Sequence, residues 1–258
     1  MNHRNRSRFF WCLLLAAALG TLGHLGLLDV RGFWPAVKRL GIFSRDLFPP
    51  DTAAFGPLAW AMLETVEIAF AGTLVGLCLA MPLAFFGSRS LFGPGASTVA
   101  RTVVGILRTV PSILFGVVFV VALGLGPAAG VMGVAFYTVG YLGKLYYEAF
   151  EGVDPEVLEA VRATGANPLQ LFRFAILPES ANATLSQLFF MFEYNIRASS
   201  IMGFVGAGGI GYYMLGYVQM LQYRHLLSAL VLTFAVVMAV DALSLRVRTT
   251  LLPAAFKK

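Results

Sequence analysis

Apolar residues fall into six long runs along the chain, near residues 9–28, 58–86, 100–125, 128–147, 185–204 and 226–245. Each is about twenty residues or longer, enough for an α-helix to cross the hydrocarbon core of a bilayer. The pattern predicts an all-α integral membrane protein with six transmembrane helices, and Gly126-Pro127 reads as a tight outer turn between the third and fourth. One polar island interrupts the runs, YEAFEGVDPEVLEAVRATGANPLQLFRFAILP at residues 147–178. Six of the thirteen acidic residues lie in it or just after it: Glu148, Glu151, Asp154, Glu156, Glu159 and Glu179. So much polar sequence in one loop of a membrane protein points to a surface that docks something in water.

The island reads as two short helices at an angle. Asp154 is an N-cap, Pro155 sits at N1 where its missing N–H costs nothing, and Glu156 faces the positive end of the helix dipole. Val157, Leu158, Ala160 and Val161 give an apolar stripe, and Gly165 ends the helix as a left-handed C′ residue. Asn167 and Pro168 restart the pattern. Leu169, Phe172 and Ile176 then form an apolar face until Pro178 breaks or kinks the helix. The result is a rigid elbow; the plain alternative is an ordinary connection between helices.

Composition agrees with a membrane setting. The 258 residues are 58% hydrophobic and 12% charged, with mean hydropathy +0.77, whereas soluble domains carry about a quarter charged residues. With both termini inside, the cytoplasmic parts hold Arg4, Arg6, Arg8, Arg89, Arg101, Lys144, Arg162, Arg173, Arg246, Arg248, Lys257 and Lys258. The outside holds Arg31, Lys38, Arg39, Arg45 and Arg224, and twelve against five favours this orientation. The net charge of +6 is then mostly topology and does not indicate nucleic-acid binding. Trp34, Val37, Lys38 and Ile42 give the first outer loop the pattern of an amphipathic segment on the membrane surface. The first apolar run is too long for a signal core and Leu27-Leu28-Asp29 offers no small-residue cleavage site, so it reads as a retained helix. Cys12 and Cys78 lie in apolar runs and suggest packing, with no disulfide framework.

No catalytic apparatus is legible. There is no G-x-x-x-x-G-K-[ST] phosphate loop, and His3, His24 and His225 are too scattered for a metal site. The glycine run at 206–211 superficially matches a dinucleotide fingerprint, but no strand precedes it. The chemistry lies at membrane depth. Glu193 and Arg197 are four residues apart and share one helix face, with Asn195, Ser199 and Ser200 nearby. Ionisable groups there face a bundle interior or an aqueous cavity rather than lipid. Gly203 and the 206–211 run are expected to interrupt the helix and expose backbone N–H groups, which beside an arginine suit an anion. A structural ion pair between Glu193 and Arg197 is the competing reading.

Glu159-Ala160-Val161, then Gly165, then Leu177-Pro178 resemble the EAA loop of ABC-importer permeases, with Val161 for the second alanine and Ala175 for the usual isoleucine. Arg197-Ala198-Ser199-Ser200 followed by Val205 and the glycine run is similar to permeases for phosphonate, phosphite and hypophosphite. So are Gly140-Lys144-Glu148, the stretch 159–167 and Asp241-Ser244-Arg248; Arg108-Thr109-Val110-Pro111-Ser112 resembles an R-x-x-P segment of the wider superfamily.

The resemblance implies a type I ABC importer permease fold in a bacterial inner membrane. The likeness runs from about Glu64 to Arg248, within a transmembrane core at 58–258 with a coupling loop at 148–180; the N-terminal helix and outer loop at 1–57 lie outside it and are read from the apolar pattern alone. It implies coupling through Glu159, Ala160, Gly165, Ala166, Asn167, Leu177 and Pro178. A substrate pathway would be formed by Glu193, Arg197, Ser199, Ser200, Gly206, Gly208 and Gly209. The implied partners are a second permease copy or paralogue, two ATP-binding subunits carrying ATP and Mg, and an extracytoplasmic substrate-binding protein. No cofactor is expected on this chain. Two alternatives stay open: an importer permease for another solute such as methionine or an osmoprotectant, or an ion-coupled carrier using Glu64, Glu67, Glu193 and Asp241.

Overall fold

The computed structural model describes residues 3–26 and 30–251, without the side chains of 3–6, 8, 9, 30, 31 and 251. Leu27, Leu28, Asp29, Lys257 and Lys258, and the side chains of Arg4, Arg6, Arg8 and Arg31, therefore lie outside the described residues, with the chain ends. Every regular element among the described residues is helical.

The chain divides into two units, Met1–Pro49 and Pro50–Lys258. The first holds α1 (His3–His24) and α2 (Val30–Leu47). The apolar part of α1, Phe10–His24, is shorter than a full span, and α2 contains the expected amphipathic segment with Pro35 inside it.

The second unit opens with a 3-10 turn, Thr52–Ala54, and continues through α3 (Phe55–Gly87), α4 (Arg89–Thr109), α5 (Ser112–Leu123) and α6 (Pro127–Glu151). The elbow helices α7 (Pro155–Ala163) and α8 (Pro168–Leu171) follow, then α9 (Leu177–Met202), α10 (Ile210–Gln219) and α11 (Tyr223–Leu251). Its central seam is α3 against α6. Gly72, Gly76, Ala80 and Ala84 recur every four residues along α3 and are all buried. A Cβ added at Gly72 would come 2.6 Å from Val134 Cβ, and one at Gly76 the same distance from Thr138 Cβ. Lipid tails are as apolar as leucine, so helices in a bilayer gain by close backbone packing, and small residues permit it.

α9 is tied to this seam by polar side chains. Asn195 is fully buried and donates its amide to Thr73 Oγ1 and Thr138 Oγ1, each at 2.8 Å. Ser199 Oγ donates to the Thr65 carbonyl at 3.1 Å, and Thr65 Oγ1 accepts from the Ile210 N–H at 2.8 Å.

Two prolines act differently on their helices. The run 100–125 is not one straight helix, because α4 and α5 meet at 90°. Pro111 supplies no N–H and pushes Val110 out of the helical region, to φ −85°, ψ 121°. Pro178, by contrast, does not break its helix. A π turn, Phe172–Ile176, joins α8 to α9, and the Leu177 N–H bonds back to the Phe172 carbonyl. The wider turn relieves the clash a proline ring otherwise makes with the carbonyl four residues earlier.

Among the described residues, Thr52–Gly87 and Tyr223–Thr250 qualify as spans by length and composition, and counting each bent pair as one span raises the number to four. The six expected runs thus do not map onto six unbroken apolar helices. α4 and α5 are split by Pro111, and α6 mixes its apolar residues with glycines, tyrosines and Lys144.

Candidate functional site

The elbow is built by its caps. Asp154 Oδ1 accepts from the Glu156 N–H at 2.9 Å, and Pro155 starts α7. Gly165 has φ +82° and nothing within 4 Å of where a Cβ would lie, so its turn is a matter of backbone conformation rather than crowding. Asn167 Oδ1 accepts from the Gln170 N–H and Gln170 Oε1 accepts from the Asn167 N–H, both at 2.9 Å, a reciprocal capping box.

Leu158, Leu171, Ala175 and Ile176 turn inward against Phe150 and Val153. The expected inward face of the second helix is corrected at Leu169, which is 65% exposed; Leu171 and Ala175 take its place. Ala160 is likewise exposed, whereas Val157 and Val161 are half-buried. Of the expected coupling residues, Glu159, Ala160, Gly165, Asn167, Leu177 and Pro178 are exposed and Ala166 is half-buried. Val161, Thr164, Gly165, Ala166, Gln170 and Phe174 line an open concavity of about 440 Å³.

The elbow is also fastened to the bundle by contacts that the sequence reading missed. The Arg162 guanidinium donates to the Ser90 carbonyl. Glu151 accepts from the Arg89 N–H at 2.7 Å and pairs with Arg101, whose Nε donates to the Gly87 carbonyl at 2.8 Å. The Arg101 guanidinium lies 4.3 Å over the Tyr147 ring. Glu151 and Arg101 are fifty residues apart, so no spacing rule could have joined them.

On α9, Arg197 Nη1 pairs with Glu193 Oε1 at 3.1 Å. Ser199 and Ser200 are buried and donate to backbone carbonyls, so they hold α9 in place rather than lining an opening. The glycine run does interrupt the helix: Gly206, Gly208 and Gly209 have φ +88°, +83° and +73°. They line a cavity of about 240 Å³ with Glu64, Leu125, Gly126, Tyr212 and Tyr213. Glu193 and Arg197 do not line it, so the arginine and the glycine backbone are not brought to one cavity. Three of the six N–H groups in the run 206–211, expected to be free, are taken. Gly206 bonds to the Gly203 carbonyl at 3.0 Å, Ala207 to the Met202 carbonyl at 3.3 Å, and Ile210 to Thr65 Oγ1. Glu64 is the polar group the sequence reading left out of this site; Gly208 admits it, since a Cβ there would come 2.8 Å from Glu64 Oε1.

A bundle with a tightly packed α3–α6 seam, a capped elbow and a glycine-broken helix is the fold of a type I ABC importer permease. The methionine ABC transporter MetNI in an inward-facing conformation matches it with TM-score 0.69 at 20% identity, over 78% of this chain and 98% of that one. An amino acid ABC transporter crystallised with histidines gives TM-score 0.62 at 16% identity, over 79% and 100%. Residues 72–256 match the family described as binding-protein-dependent transport system inner membrane component, and the chain belongs to that family. The phosphite transport system permease protein PtxC of Stutzerimonas stutzeri is 34% identical over 222 residues, 86% of this chain and 81% of that one. A putative phosphite transport system permease protein of the same organism, HtxC, is 29% identical over 251 residues, 96% and 89%. The choline transport system permease protein OpuBB of Bacillus subtilis is 27% identical over 159 residues, 62% and 72%. Family membership sets aside the ion-coupled carrier.

Proposed function

We propose that this chain is the permease subunit of an importer that moves a phosphorus oxyanion (phosphonate, phosphite or hypophosphite) into the cytoplasm. The observation that carries the reading is the likeness to phosphite permeases along most of both chains. The intramembrane guanidinium of Arg197, steadied by Glu193, supports it, because a planar fork of donors suits an oxyanion. Gly206, Gly208 and Gly209 supply the hinge between α9 and α10, and Ser199 and Ser200 fix α9 beside it.

The elbow seats in a groove on an ATP-binding subunit. Glu159, Ala160, Gly165, Ala166, Asn167, Leu177 and Pro178 meet that surface, and exposed Leu169 and Phe174 gain cover there. Two such subunits bind and hydrolyse ATP with Mg; this chain, paired with a second copy or a paralogue, provides the path and the lever. Closure of the ATP-binding dimer displaces the elbow, and Arg162 and Glu151 pass that displacement to α4 and α6. A substrate-binding protein delivers cargo from outside, and both termini lie in the cytoplasm.

The test is reconstitution in liposomes with the ATP-binding subunit and the binding protein. ATP-dependent uptake of phosphite, hypophosphite or methylphosphonate is the expected result. Uptake of choline or methionine with none of these anions would overturn the cargo assignment and leave the importer.

A further inference from the structure

Arg108 lies within the third apolar run, three residues before Pro111, at the corner where α4 meets α5. Its guanidinium sits 5.2 Å from the centre of the Tyr141 ring. Tyr141 packs on Tyr137 at 4.6 Å, and Tyr137 stacks on Tyr194 at 5.5 Å with the rings 16° apart. Arg197 lies 5.9 Å from the Tyr194 ring. Three tyrosines from α6 and α9 thus form a file with an arginine at each end, and no step in it exceeds 5.9 Å.

The two arginines are not equivalent. Arg197 has Glu193, whereas no carboxylate pairs with Arg108 among the described residues. Arg108 Nε is buried without a hydrogen-bond partner. Gly140 makes space for its stem, since a Cβ there would come 3.0 Å from Arg108 Cγ. The residue as a whole is half-buried; a guanidinium held among side chains with no carboxylate beside it is costly, and at membrane depth such groups mark ion paths. Packing alone would be served by leucine or methionine. Cation–π attraction holds each guanidinium on a ring face without using its N–H donors, and the Tyr137 hydroxyl is hydrogen-bonded to those of Tyr194 and Tyr141, so the file is a linked run of polar groups.

We propose that Arg108 is a second oxyanion station, linked to Arg197 through Tyr141, Tyr137 and Tyr194, and that the transported anion passes between the two. The proposal rests on the reading that the cargo is a phosphorus oxyanion. A neutral or cationic solute would gain nothing from an uncompensated guanidinium on its path.

The experiment uses the assembled transporter in liposomes at saturating binding protein, with uptake of labelled phosphite and ATP hydrolysis read in the same vesicles. Wild-type uptake comes first: if no phosphorus oxyanion moves, the cargo reading fails and the second station falls with it. If phosphite moves, Arg108→Met is expected to lower uptake roughly tenfold or more while stimulated ATP hydrolysis stays within about twofold, as loss of a charge-assisted contact requires. Arg108→Lys should recover part of the uptake. Tyr141→Phe keeps the ring and removes the hydroxyl, and should lower uptake about threefold. Unchanged uptake in Arg108→Met overturns the proposal, as does a parallel fall of uptake, hydrolysis and assembly yield that Arg108→Lys does not relieve. Should Arg108→Met fail to assemble, full uptake by well-assembled Tyr141→Phe overturns it instead.

Discussion

Glu193 is far more enclosed than Arg197, with 12% against 44% of the side chain exposed, although the two are joined at 3.1 Å. Such a pair is asymmetric in exposure, and in the proposed pathway the carboxylate anchors while the guanidinium presents its remaining donors outward. Arg197→Lys keeps the charge and loses the fork, whereas Arg197→Met also strands Glu193. Both variants are expected to assemble, with uptake lower in Met than in Lys. A double variant, Glu193→Gln with Arg197→Met, separates this from a structural pair. If it restores a lost assembly yield and also transports like the wild type, Arg197 does not handle substrate. This pair was legible because four-residue spacing puts both groups on one helix face. Glu64, Glu151 with Arg101, and the tyrosine file were not, since their partners arrive from distant elements and leave no mark in local spacing.

At the scale of elements, the elbow was the most readable part of the chain, because caps are local chemistry. Asp154, Gly165 and Asn167 stand where their side chains or conformational freedom are needed within three or four residues. Gly165→Val meets no neighbour but must hold φ +82°, a strain of roughly 1–2 kcal/mol. It should insert normally, yet copurify less ATP-binding subunit and show weakened substrate-stimulated ATP hydrolysis. Asn167→Ala removes its half of the capping box and the acceptor for Gln170, a loss of about 1 kcal/mol; its effect should be milder than that of Gly165→Val in the same assay. Proline was harder to read. Pro111 bends the chain by 90° between α4 and α5 and Pro178 is absorbed, and the difference lies in the turn that precedes each ring rather than in the ring.

For the whole molecule, apolar runs revealed the membrane setting but not how the helices approach one another. The α3–α6 seam depends on Gly72 and Gly76 facing Val134 and Thr138, a match between segments about sixty residues apart. Gly76→Val should force the pair apart, since even a Cβ would lie 2.9 Å from the Ala135 carbonyl. Overpacking of this kind costs about 1–3 kcal/mol, and a lower midpoint in thermal unfolding of the detergent-purified protein would register it. The orientation of the chain has its own test. With the free cysteines Cys12 and Cys78 replaced, Ser44→Cys should react with an impermeant reagent on intact cells, and Asn167→Cys only after the membrane is opened. Labelling of both from outside would reverse the assigned sidedness of the elbow.

The π turn at Phe172–Ile176 has a consequence for direction as well as for Pro178. It amounts to one residue added to a helical repeat, and one residue is about 100° of rotation about the axis. The elbow is therefore out of phase with α9 by a fixed angle, so in the proposed coupling its bearing toward the ATP-binding subunit is set by residue count, like the timing of a gear by its teeth. Deleting Phe174 would return the segment to an ordinary α-helical register. The cap residues would be untouched and the membrane helix would still insert, but the docking face would point about a quarter-turn away, and the ATP-binding subunit should no longer copurify.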